Sequence, residues 1–294
     1  MLNALTVDVE DYFHVAAFAD QVKPENWNGY ELRVVANTQR LLNLFDQQNV
    51  KATFFILGWV AEKVPELVRE IAAQGHEIAC HGFSHQLIYK QSRNLFYEET
   101  HKSKSLLEDI IGKPVAGYRA ASYSITRKSL WALDVLGELG FEYDSSIVPI
   151  HHDFYGIPDT PRAPYVICSP EGHEFIEFPP TTLSLPGLNL PVAGGGYFRL
   201  YPYWFSKAAL RWINRHDQLP FIFYLHPWEV DPDQPRMQGK LTSRFRHYNN
   251  LHKCYARLEK LLQAFEFSTV RDVLSTQQQP TASFDLNQPA IKIT

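Results

Sequence analysis

Glu77-Ile78-Ala79-Cys80-His81-Gly82-Phe83-Ser84-His85 is a short apolar run that delivers two imidazoles four positions apart. An apolar run this short suits a strand buried on both faces, as in a parallel sheet covered by helices. Two neutral imidazoles at this spacing can share a divalent cation, yet the same spacing also fits a solvated face or two unrelated hydrogen-bonders. A second cluster, Asp8-Val9-Glu10-Asp11, narrows the choice, because it puts carboxylates directly behind another apolar run that starts at Leu2.

Outward from these two segments, β-branched or aromatic runs alternate with helical patterns, the signature of βαβ units around a mainly parallel sheet of about seven strands. Val34 to Gln47 predicts a helix with Val34, Leu41, Leu44 and Phe45 near one face, and Ala52 to Leu57 a strand buried on both sides. Pro65 opens a helix through Gln74, with Gly75 as its stop. Further helices are expected near Asn94 to Ile111, after a Thr126 cap, and near Leu251 to Ala264. Further strands are expected at Val115–Tyr118, Phe141–Tyr143, Phe221–Leu225 and Glu266–Val270. The Pro- and Gly-rich stretch 147–200 is too long for a structureless loop, so it should hold short strands such as His173–Phe178 and pack over the barrel mouth. Residues 1–274 read as one catalytic domain, and the Gln-, Ser- and Pro-rich segment 275–294 as a disordered tail.

Asp8, His81, Arg119, Asp144 and His226 each follow an apolar strand, at the strand ends where a parallel βα barrel builds its active site. Each has a plain structural reading as turn residue, surface pair, helix cap or core hydrogen-bonder; five coincident strand ends are harder to explain that way. Strand alternation puts Asp8 and Glu10 on one face and Val9 and Asp11 on the other. Asp8 and Glu10 are therefore the expected inward pair, with Asp11 replacing Glu10 if the strand ends at Val9. Two imidazoles and one carboxylate with open positions suit a catalytic divalent ion, zinc first and cobalt, nickel or manganese as alternatives. Trp228, Tyr197 and Tyr123 are candidates to line a bound substrate, and His14, His151 and His152 read as ordinary loop residues.

These motifs resemble the polysaccharide deacetylase family, the NodB-like carbohydrate esterases, over roughly residues 2–270. Thr6-Val7-Asp8-Val9-Glu10 is similar to the opening motif with its metal carboxylate moved one position on. His81-Gly82-Phe83-Ser84-His85 is similar to the His-Ser/Thr-x-x-His motif with Gly at the hydroxyl position. Arg119-Ala120-Ala121-Ser122-Tyr123 keeps only the Arg of the third motif, and Leu225-His226 resembles the last. Gly194-Gly195-Gly196-Tyr197-Phe198 and Arg244-Phe245-Arg246-His247-Tyr248 look similar to a subgroup found with bacterial exopolysaccharide and exosortase loci. The resemblance implies a distorted (β/α) barrel and metal-dependent removal of N-acetyl groups from a glycan or its precursor. Metal would sit on Glu10, His81 and His85. Asp8 would act as base, oriented by Arg119. His226 would act as acid, its tautomer set by a partner such as Asp144, and a backbone N–H near Ser122 would serve the oxyanion.

Composition limits the rivals. A net charge of −4 with no basic tract argues against nucleic acid as a partner. Cys80, Cys168 and Cys254 form neither a disulfide framework nor a zinc ribbon. An N-terminus without a signal peptide or membrane span points to the cytoplasm, while the sequence leaves the oligomeric state open. The remaining alternatives are a metal-free, allantoinase-like cyclic amide hydrolase and a non-catalytic carbohydrate-binding relative.

Overall fold

Seven strands hydrogen-bond in parallel, one beside the next, and their C-terminal ends carry the residues singled out above. The computed structural model describes residues 1–152, 155–276 and 283–285. In chain order, β1 (Leu2–Val9) leads to α1 (Val34–Gln47), β2 (Thr53–Ile56), α2 (Gly58–Lys63), α3 (Pro65–Ala73), β3 (Glu77–Cys80) and α4 (Arg93–Ile111). β4 (Gly117–Tyr118), α5 (Trp131–Glu138) and β5 (Tyr143–Asp144) follow. The insert forms β6 (Tyr165–Cys168), β7 (Glu174–Glu177), the hairpin β8 (Thr182–Leu185) and β9 (Leu188–Pro191), and α6 (Gly195–Leu200). Next come α7 (Tyr203–Arg215), β10 (Ile222–Leu225), α8 (Leu241–Tyr248), α9 (Leu251–Leu262), β11 (Glu266–Ser268), α10 (Val270–Thr276) and β12 (Ser283–Asp285).

The sheet runs β10-β1-β2-β3-β4-β5-β7 in parallel, then turns antiparallel at β6. β1 and β2 are buried on both faces, as continuous apolar strands between helix layers must be. No ladder joins β10 to β7 among the described residues; the insert closes that side instead. The Ile222 N–H donates to Thr181 Oγ1 at 2.8 Å, the Tyr224 N–H donates to the Ala193 carbonyl at 3.2 Å, and Gly194 bridges Tyr224. Gly194 has φ +137°, and a Cβ there would lie 2.2 Å from the Tyr224 carbonyl oxygen, so only glycine lets the insert approach β10 this closely. The result is a barrel distorted on the insert side.

Several expected boundaries move. The helix after Thr126 begins only at Trp131, because the Thr126 N–H donates to Ser129 Oγ and residues 127–130 turn first. The strand expected to reach Val270 stops at Ser268, and Val270 starts a further helix. Within the stretch expected to be a disordered tail, Ser283–Asp285 pair in parallel with Val166–Cys168; the other residues beyond 276 lie outside the described ones. No described helix is long and apolar enough to cross a membrane.

Candidate active site

Strand alternation sorts the acidic cluster as expected. Asp8 and Glu10 turn into the barrel mouth. Asp11 turns away: its Oδ1 accepts from the Tyr12 N–H, and its Oδ2 accepts from the Arg33 and Val34 N–H groups at 2.7 and 2.9 Å. It thus satisfies the start of α1, where backbone donors have no helical partner. The alternative ligand is engaged elsewhere, and Glu10 stands beside the histidines.

Glu10, His81 and His85 each offer a ligand atom, all within 4.8 Å of one another. His81 Nδ1 donates to the Arg119 carbonyl at 2.8 Å, which leaves Nε2 bare for a cation. Burial drops the His81 pKa to about 4, so the ring is neutral near pH 7. His85 follows a tight turn rather than a helix, with φ positive at both Gly82 and His85. Its Nε2 lies 2.8 Å from Glu10 Oε2, yet that oxygen has no hydrogen-bond partner, and neither has His85 Nδ1. Burial would raise the Glu10 pKa, but His85, His226 and His81 together hold it far below the carboxylate range. A buried, ionised oxygen crowded by two imidazoles and left without a hydrogen bond fits a divalent cation shared by the three.

Asp8 is buried behind the cluster. Arg119, after β4, donates from Nη1 to Asp8 Oδ1 at 2.6 Å and to Thr6 Oγ1 at 2.8 Å. Its Nη2 donates to Ser145 Oγ, and its guanidinium lies 4.0 Å from the Phe55 ring centre. Both ends of the arginine are fixed, which fixes the carboxylate. Asp8 Oδ2 lies 3.9 Å from His226 Nε2, and Glu10 Oε1 lies 3.6 Å from the same nitrogen.

The partner of His226 is not Asp144. Asp144 lies at the end of β5, opposite Glu177 of β7, and accepts from Ser146 Oγ; burial raises both carboxyls. His226 Nδ1 instead donates to Glu229 Oε1 at 2.8 Å, and the same oxygen accepts the His226 backbone N–H. Glu229 Oε2 accepts from Arg199 Nε at 2.6 Å. Arg199 is itself buried and donates to the carbonyls of Arg246, His247 and Asn249. Burial opposes a charged His226, but Glu229, Glu10 and Asp8 outweigh it and raise its pKa to about 9. Burial also opposes charge on Glu229, which Arg199 and His226 nonetheless hold down to about 2. Neither Glu229 nor Arg199 was singled out in the sequence. Glu229 sits three residues past His226 on the turn that Pro227 opens, and that His-Pro-x-Glu spacing was its one visible signal.

The aromatic candidates divide. Trp228 cannot stack on a sugar, since its faces are covered by His226 at 5.0 Å and His247 at 4.2 Å; its indole N–H donates to Glu10 Oε1 at 3.3 Å. Tyr197 is partly exposed, and its hydroxyl lies 3.3 Å from that of Tyr155, another partly exposed ring. Tyr123 packs edge-on to Tyr224 with its hydroxyl unpaired. Ser122 and Tyr123 both have positive φ, and the Tyr123 N–H is spent on the Ala120 carbonyl, so Ser122 is the remaining N–H candidate of this pair. His14 is no ordinary loop residue either. It is buried among Phe13, Trp27 and Trp59, accepts from the Asp11 N–H at Nδ1, and leaves Nε2 unpaired.

Comparison with known proteins covers the same ground. A polysaccharide deacetylase family model matches residues 27–143, which contain His81, His85 and Arg119, and a model for a domain of unknown function, DUF3473, matches 145–275, which contain Arg199, His226 and Glu229. A peptidoglycan-N-acetylglucosamine deacetylase of Bacillus cereus is 39% identical over 75 residues, 26% of this chain and 27% of that protein. A peptidoglycan deacetylase of Helicobacter pylori is 33% identical over 119 residues, 39% of this chain and 38% of that protein. The matched stretch therefore spans well under half the length of these relatives. A Mycobacterium smegmatis protein described as a polysaccharide deacetylase superposes with a TM-score of 0.59 at 17% identity, over 99% of this chain and 96% of its own, which shows the shared fold.

Proposed function

We propose that the chain is a polysaccharide deacetylase, as the match of residues 27–143 to that family's model suggests, and that it hydrolyses the N-acetyl groups of an N-acetylhexosamine in a bacterial polysaccharide or its precursor. The observation that carries this reading is the convergence of the unsatisfied Glu10–His81–His85 cluster with Asp8 and His226 at adjoining strand ends. A binding module needs no acid and base, and a metal-free site gives no reason to crowd two imidazoles onto one buried carboxylate.

Glu10, His81 and His85 would hold the cation, zinc by the preference of an N₂O donor set with open positions. Such an ion supplies Lewis-acid polarisation of the amide carbonyl and acidifies a water. Asp8 Oδ2 takes the attacking water's proton, while Oδ1 stays on Arg119 so the carboxylate cannot rotate. The Ser122 N–H is the protein donor for the developing oxyanion, standing in for the usual third motif. His226 hands the proton on Nε2 to the departing amine; Glu229 keeps Nδ1 protonated and the ring oriented. Tyr197 and Tyr155 form the exposed aromatic wall on which a sugar ring can stack.

The test is acetate release from N-acetylhexosamine oligomers by metal-loaded protein, with and without chelator. The expected result is release that stops on chelation and returns with a divalent ion. Undiminished release after complete metal removal would overturn the assignment.

A further inference from the structure

Charge and apolar exposure are unevenly distributed over this chain. Residues 178–216 and 234–258 contain ten of its 28 Lys and Arg and none of its 32 Asp and Glu, although the whole chain carries −4. Two helices from these segments, α7 and α8, present large apolar side chains outward. On α7, Trp204 and Trp212 are exposed together with Arg211 and Arg215. On α8, Leu241 and Phe245 are 79% and 61% exposed beside Arg244 and Arg246. The β8–β9 hairpin adds an exposed Leu185-Pro186-Gly187-Leu188 tip, and α6 ends on exposed Leu200. Of eleven exposed large hydrophobics among the described residues, seven lie between 185 and 245.

These elements are neighbours. The hairpin packs on α7, α6 runs into α7, and α6 packs on α8 and α9, with Arg199 binding the carbonyls at the end of α8. Their inner faces meet the catalytic side: Gly194 bridges Tyr224, and His247 of α8 stacks on Trp228.

We propose that this surface docks on an anionic membrane, holding the barrel mouth at the lipid interface. Helices with exposed Trp, Phe and Leu interleaved with Arg and Lys are what an interface-lying segment requires, and clustered cations without anions match acidic headgroups. A polyanionic glycan would use the arginines but would not reward tryptophan, leucine and a leucine-tipped hairpin in water. The proposal is independent of the deacetylase reading, since docking needs no turnover.

The full chain would be tested by flotation with vesicles of phosphatidylcholine alone or with 30% phosphatidylglycerol, reading tryptophan emission in parallel. Partitioning onto the anionic vesicles that weakens with salt, with a blue shift, is expected. Trp204→Ala/Trp212→Ala and Leu241→Ala/Phe245→Ala should each reduce it, and Arg211→Glu/Arg244→Glu should lower it by roughly tenfold or more. Acetate release from a soluble oligomer should stay at the wild-type rate in all three variants, which separates failed docking from failed catalysis or folding. Absence of binding to anionic vesicles would overturn the proposal. So would binding that ignores the apolar substitutions, which would indicate a polyanion site, or a wild-type dimer that these variants convert to monomer, which would indicate a self-interface.

Discussion

In the proposed reaction Asp8, Arg119, His226 and Glu229 divide the proton chemistry among side chains held from behind. Asp8→Asn keeps the shape and the Arg119 contact at Oδ1 but removes the proton acceptor. Acetate release should fall by about 100-fold or more while bound metal, measured by elemental analysis, stays unchanged. Glu229→Gln acts one step further back. Glu229 is the largest cause raising the His226 pKa in the metal-free chain, and in the proposed reaction a protonated His226 is the active form, so activity should be lost as pH rises through the His226 pKa. Removing the charge lowers the pKa, and the alkaline limb of kcat against pH should move to lower pH; an unmoved limb would show that Glu229 does not set it. Asp8, His81, Arg119 and His226 were legible because each sits directly after an apolar run, Glu10 because it shares a strand face with Asp8, and His85 because it lies four positions past His81. Glu229 and Arg199 were not, because their value lies in one shared contact across 30 residues of sequence.

At the scale of elements, the strands that read most easily from sequence were those buried on both faces, where burial writes an unbroken apolar run. β6, β8 and β9 were missed because they are short pieces of a Pro- and Gly-rich insert, held by pairing with one another or with β7 and β12 rather than by their own propensity. Asp11 shows the value of knowing the element. It is buried and accepts the Tyr12 N–H and two backbone N–H groups at the entry of α1, so Asp11→Ala leaves donors unsatisfied and should cost about 2–3 kcal/mol. In a melting experiment the variant should lose roughly 3–5 °C while still binding metal, whereas Glu10→Ala should lose the metal. The Asp144–Glu177 pair joins β5 to β7 with the opposite pH sign. Burial raises both carboxyls in the fold, so the folded chain holds more protons than the unfolded one, and this contribution to stability is present below about pH 4 and lost as pH rises through the raised values. Glu177→Gln supplies the proton-bearing shape permanently. Its melting temperature should match wild type near pH 5 and exceed it at pH 8; equal melting at both would show that the pair carries no shared proton.

Across the whole molecule, the two regions matched by separate family models meet at one centre. His81, His85 and Arg119 come from the first, Arg199, His226 and Glu229 from the second, and Asp8 and Glu10, at the C-terminal end of β1, precede both. A cation on Glu10, His81 and His85 would tie the end of β1 to the end of β3 across β2, and it would bind the folded chain alone because the unfolded chain does not bring these ligands together. Its contribution would be RT ln(1 + [L]/Kd), about 2.7 kcal/mol at one hundred times Kd, which corresponds to a rise of roughly 4–5 °C for a domain of this size. Differential scanning calorimetry of chelated and zinc-loaded protein should show that rise, and His81→Ala should abolish it while leaving the melting of the chelated form nearly in place. His14 stands outside the predicted trio, so His14→Phe should keep the increment. If it is lost in His14→Phe as well, the unpaired Nε2 belongs to the metal shell and the ligand set has four members.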